Sequence, residues 1–222
     1  ASDDADMAVL KAVRNCRRAL LSGVTSARDV GSKAGINISI AAAAAAGKIL
    51  GPRIIAAGEW LAFEEPWGAF ARHLQDLEEL VGAIREQVAS GTGLIKIGAA
   101  NTRGDGTQVA PMSPAVLAAA VQAAHSAGLK IAAHSVGYEG TRLAVEAGVD
   151  SIEHGTFVDQ ETAELMAERG TYLVPTMSTS DARLRLARIE GLSGQELDRA
   201  EERQAIGRNS FRNALEAGVK IA

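Results

Sequence analysis

The 222-residue sequence is poor in cysteine, proline and aromatic side chains, with one Cys, five Pro and an aromatic content of 4%. The lone Cys16 excludes an internal disulfide and fits a reducing compartment. A formal net charge of −4 supplies no electrostatic footprint for a nucleic acid or an anionic membrane. No apolar run approaches the roughly 20 residues of a membrane span, since "SIAAAAAAG" is too short and too rich in alanine. No secretory signal is visible, so a cytoplasmic location is expected, although the abrupt opening "ASDDADM" leaves room for an upstream segment. Low-complexity linkers, charge blocks and composition shifts are also missing, which predicts one domain over residues 1–222. The expected partner is a small-molecule substrate rather than a nucleic acid or a membrane, with a homo-oligomer left open.

What the chain does have is punctuation. Amphipathic runs rich in alanine and leucine end at Gly23, Gly51, Gly91, Gly128, Gly148, Gly170 and Gly218. A residue without Cβ suits the left-handed conformation that stops a helix. Each glycine precedes a strand candidate: "VTSARDV", "PRIIAAG", "LIKIGAA", "LKIAAHS", "VDSIEHG", "TYLVPTM" and "VKIA". Helix starts agree, with Ser113 before Pro114, Asp159 before "QETAELMAERG", and a capping-box pattern in Ser193 and Glu196.

Continuously apolar strands separated by helices belong to a parallel sheet covered on both faces, so the predicted class is α/β. A doubly wound sheet would advertise a glycine-rich nucleotide turn, and no G-x-G-x-x-G follows any strand candidate. The alternative is a (β/α)8 barrel of the TIM type. The chain offers seven strand candidates and opens on a helix, so an incomplete barrel is expected, lacking its first strand and the end of its last. Such a barrel has unpaired sheet edges and should aggregate, exchange strands or be poorly ordered near the gap.

In barrels of this type the reactive side chains sit at the carboxyl ends of strands. Three consecutive strands supply Lys96 in "LIKIG", His134 in "KIAAHS" and His154 in "SIEHG". Imidazole nitrogen is a good ligand for zinc and its neighbours. An ammonium inside an apolar strand carries a large desolvation cost unless it is paired, neutralised or chemically changed. A neutral lysine amine can take up carbon dioxide to form a carbamate, an oxygen ligand able to bridge two cations. Taken singly, Lys96 can snorkel or pair with Asp105, and each histidine can be a hydrogen-bonded core residue. Their conjunction at matching strand ends points to a divalent metal site.

The segments "GVTSARDVG", "LIKIG", "KIAAHS", "AGVDSIEHG" and "GTYLVPTM" resemble the metal-dependent amidohydrolase superfamily. The likeness is to the branch of imidazolonepropionase-related enzymes and prolidase-like Xaa-Pro dipeptidases and carboxypeptidases. It implies two divalent metals, commonly zinc, bridged by a carboxylated lysine on the fourth barrel strand, here Lys96, with His134 and His154 as ligands from the fifth and sixth. It also implies a His-x-His pair on the first strand and an aspartate on the eighth. Neither is in this chain, which is therefore expected to be truncated at both ends and inactive as it stands. For a complete protein the resemblance implies hydrolysis of an amide or peptide C–N bond by a metal-bridging hydroxide, with the eighth-strand aspartate as general base.

Specificity is expected in the loops after the third, fourth and seventh barrel strands, where Trp60, Trp67, Arg103 and Asp105 lie. Arg103 is a candidate grip for a substrate carboxylate, which suits a dipeptide or N-acyl amino acid. Tyr138 resembles a substrate-contacting position of this branch, or else covers the barrel rim as a helix-start residue. Arg28 with Asp29 reads as a local ion-pair network, His125 as a helix C-terminal cation, and His73 as a surface residue by a helix start. Glu153 either faces a helix layer or orients a metal ligand. Two other classes stay open: a cyclic amidine deaminase on a mononuclear version of the scaffold, in which Lys96 is not a ligand, and an inactive barrel fragment or binding protein.

Overall fold

The computed structural model describes residues 4–63, 71–102, 112–191 and 194–222. Its contacts divide into two compact units, 1–97 with 122–130, and 98–121 with 131–222.

In the first unit, helix α1 (Ala5–Leu21) is capped by Asp4, whose carboxylate accepts from the Met7 amide at 2.8 Å. The short parallel pair β1 (Ser26–Asp29) and β2 (Arg53–Ala56) flanks a 3-10 turn and helix α2 (Ile36–Ala45). Asp29 accepts from the Gly31 amide at 3.0 Å and from Asn37 Nδ2 at 2.7 Å, so its described hydrogen bonds hold the turn after β1. Strand β3 (Trp60–Phe63) pairs in parallel with β4 (Ala71–Leu74) on one side and β5 (Leu94–Ala100) on the other. Helix α3 (Leu77–Ala89) is capped by Asp76 through the Glu79 amide at 2.9 Å. Its Leu80, Ala83 and Ile84 are buried with Leu61, Ile95 and Ile97. Burying an aliphatic side chain of this size stabilises by about 1.5–3 kcal/mol.

The expected long loop after the third barrel strand is thus partly sheet, with Trp60 in β3 and His73 in β4, where it is exposed as expected and shortly precedes α3. "WLAF" follows no helix stop, and glycine punctuation gave it no signal. Trp67 lies outside the described residues.

The second unit holds the end of β5, most of helix α4 (Pro114–Ser126), and three further parallel strands: β6 (Lys130–Ser135), β7 (Ser151–His154) and β8 (Tyr172–Val174). Helices α5 (Tyr138–Ala147) and α6 (Gln160–Arg169) follow β6 and β7. "VKIA" adds a parallel bridge, Ile221 to Leu173. Asp159 caps α6 as expected, accepting from the Thr162 amide at 2.8 Å. His125 sits in the last turn of α4, also as expected.

Beyond β8 the chain forms α7 (Met177–Ile189) and α8 (Gln195–Glu216), tied by Arg188–Glu201 at 2.7 Å and Arg208–Asp181 at 3.2 Å. Buried Ser210 fastens α8 to the segment after β7, donating to the Thr156 carbonyl at 2.6 Å and accepting from the Val158 amide at 3.0 Å. The residue capping α8 is Gly194, not the expected Ser193, which lies outside the described residues. Among the described residues no helix is long and apolar enough to cross a membrane.

Candidate active site

His134 and His154 occupy the carboxyl ends of neighbouring strands, and their rings meet edge to face with centroids 4.5 Å apart and an interplanar angle of 66°. The β6–β7 register makes this contact unexpected. His134 lies opposite Glu153, and His154 opposite Ser135. Residues opposite each other in a sheet share a face and successive residues alternate, so regular strands would point the two imidazoles to opposite sides. The backbone resolves this at His154, which adopts φ 70°, the left-handed region that non-glycine residues seldom visit. Gly155 follows at φ 51°. An added Cβ there would collide with Leu173 Cδ1, a fully buried side chain. Such backbone strain costs of order 1–3 kcal/mol and clusters at functional sites.

Thr176, itself at φ 45°, lies 2.9 Å by its hydroxyl from His154 Nδ1. A partner on Nδ1 fixes the ring orientation and leaves Nε2 as the nitrogen offered to a metal. Glu153 is buried, and its carboxylate accepts from Ser151 Oγ at 2.8 Å. Of the two sequence readings for Glu153, the hydrogen bond described engages a neighbouring serine.

Both imidazoles line a cavity of about 780 Å³ in the second unit. Its walls come from segments just past strand ends: Asn101 after β5, Val136 after β6, Phe157 after β7 and Thr176 after β8. Arg183 of α7 with Arg199 and Arg203 of α8 complete it. Burial lowers the pKa of Arg203 below the usual guanidinium value, and the nearby charge of Arg183 adds to the shift. Tyr138 begins α5, is 45% exposed and packs edge to face on Phe157 at 5.1 Å.

Lys96 belongs to the first unit, on β5, where it is 2% exposed and its Nζ lies 5.7 Å from the centre of the Trp60 ring. Arg103 and Asp105 lie outside the described residues. Among the described residues no group of three or more His, Cys, Asp or Glu side chains is arranged to hold a metal. Two edge-to-face imidazoles, one oriented by a hydroxyl, suit part of a zinc-type donor set, and its remaining ligands must be of another kind or come from elsewhere. Thr176, Arg183, Arg199 and Arg203 were not picked out by sequence reasoning. Arg199 and Arg203 do carry a signal, a four-residue spacing within one helical run.

Comparison with known proteins bears on family and fold. Residues 2–222 match the amidohydrolase family. Ochratoxinase of Aspergillus niger is 30% identical over 238 residues, covering 94% of this chain and 49% of its own. A Xaa-Pro dipeptidase solved with methionine in its active site superposes with a TM-score of 0.84 at 31% identity, over 100% of this chain and 59% of that one. A prolidase solved with N-methylphosphonate-L-proline gives 0.85 at 29%, over 99% and 59%. The chain spans about half the length of the curated relatives it matches. The fold is α/β, an incomplete (β/α)8 barrel, and the chain belongs to the amidohydrolase family.

Proposed function

We propose that this chain carries part of the active site of a metal-dependent hydrolase acting on the amide or peptide bond of a small substrate, of the dipeptide or N-acyl amino acid type. The observation that supports it is the forced meeting of His134 and His154 at the strand ends, inside a cavity of about 780 Å³. That volume lies within the roughly 300–1,000 Å³ usual for small-molecule sites. The names of the relatives, a prolidase, a Xaa-Pro dipeptidase and ochratoxinase, point to the same bond class.

In this reading His134 and His154 would hold a divalent metal, Thr176 would keep the second imidazole in place, and Lys96, carboxylated, would be the further ligand that the family resemblance implies. When bound, a divalent metal brings the pKa of water to about 7 and polarises a scissile carbonyl. This chain's residues bind and orient. The segments after β5 to β8 line the space beside the two imidazoles, and no described residue is assigned the proton transfer.

The test is hydrolysis of a dipeptide and N-acyl amino acid panel by the complete polypeptide, with and without chelator. The expected result is turnover that disappears with chelation and in Lys96→Ala, and that short carboxylic acids partly restore in that variant. Turnover indifferent to both treatments would overturn the proposal.

A further inference from the structure

The cavity that holds the two imidazoles has a second wall of different chemistry. Arg199 and Arg203 stand four residues apart on α8, hence on one face, and Arg183 enters from α7. The helix α8 that carries two of them is fixed in place by Ser210 and by Asn213, whose Nδ2 donates to the Val158 carbonyl at 2.9 Å. Arg203 is half-buried, and Arg183 and Arg199 are exposed.

Elsewhere on the same helices two arginines are matched to carboxylates, while Arg185 and Arg212 enter no described ion pair. Arg188 pairs with Glu201 and Arg208 with Asp181. Among the described residues no ion pair engages Arg183, Arg199 or Arg203. Glu202 also lines the cavity, but it is exposed and adjacent in sequence to Arg203, so it leaves α8 about 100° away around the helix axis. Burial and the Arg183 charge both act against the Arg203 cation. A guanidinium does not lose its proton in proteins, so the relief available to this wall is an anion. A planar fork of donors matches a carboxylate bidentately.

We propose that Arg203 and Arg183 form a subsite for the carboxylate of the substrate, placing its amide bond toward His134 and His154. This rests on the hydrolase reading above. It moves the carboxylate grip from Arg103 to the α7–α8 hairpin and makes these arginines specificity-determining.

The experiment is equilibrium binding by calorimetry of N-acetyl-L-leucine and its uncharged analogue N-acetyl-L-leucinamide to the complete polypeptide, metal-free and zinc-loaded. The acid is expected to bind about tenfold or more tighter than the amide, the scale of a charge-assisted contact. Arg203→Gln should bring the two ligands to within about twofold, and Arg203→Lys should keep part of the preference. Arg183→Gln, at an exposed position, should weaken the preference without affecting folding, and carries the test if Arg203→Gln does not fold. Equal affinities in the unmodified protein, or a preference that survives both glutamine variants, would overturn the subsite. Arginine-dependent preference without any amide hydrolysis would refute the hydrolase reading and leave the subsite standing. Hydrolysis with a KM untouched by Arg203→Gln would do the reverse.

Discussion

A hydrogen bond between two residues in the left-handed region, His154 and Thr176, orients one imidazole of the pair. Replacing the hydroxyl by a methyl in Thr176→Val keeps the β-branched shape and removes the partner of Nδ1. Loss of such a partner lowers metal affinity by about 10–100-fold. A zinc titration of the metal-free protein should show that drop, with Thr176→Ser close to the unmodified protein, and an unchanged affinity in the valine variant would contradict the role. Gly155→Ala tests the neighbouring turn. The new Cβ would press on buried Leu173 at a positive φ, and the expected loss is about 1–3 kcal/mol in denaturant unfolding. A loss of only a few tenths would mean that Leu173 yields freely. The sequence made His134 and His154 legible as strand-end histidines, but not the reversal that brings them together. Strand alternation describes regular backbone, and the decisive residue is irregular.

Helices were legible where their ends carry local chemistry. Asp159 and the Ser113–Pro114 pair mark true starts, and Gly23, Gly91, Gly128, Gly148, Gly170 and Gly218 all take positive φ. Gly51 is the exception. Its φ is not positive, and it is required because a Cβ would fall 2.8 Å from Cys16 Cβ, a tertiary contact that a sequence does not display. Helix α7 was missed for the opposite reason. It begins at Thr176 without a side-chain cap, so no N-terminal signature announces it. Strands β3 and β4 lie in a stretch that lacks the helix-then-glycine rhythm used to find the others. The cap at Asp159 gives the element-scale prediction. Asp159→Ala should cost about 1 kcal/mol in denaturant unfolding, with Asp159→Asn retaining most of the stability, and no difference between alanine and asparagine would remove the cap from the account.

For the whole molecule, class and family were legible because parallel α/β architecture imposes a continuous apolar code on its strands, and because "AGVDSIEHG" after "AAHS" is specific. The arginine wall was not legible, since it depends on how α7 and α8 lie together in the second unit. The proposed function has His134 and His154 hold a metal, with a carboxylated Lys96 as the further ligand that the family resemblance implies. Its most direct test is anomalous scattering at the zinc edge from crystals of the complete polypeptide grown with zinc and bicarbonate. The account predicts a zinc peak within bonding distance of both imidazoles, with carbamate density on Lys96 reaching the metal. Zinc bound elsewhere, or an unmodified Lys96 turned away from a metal held by the histidines, would contradict it.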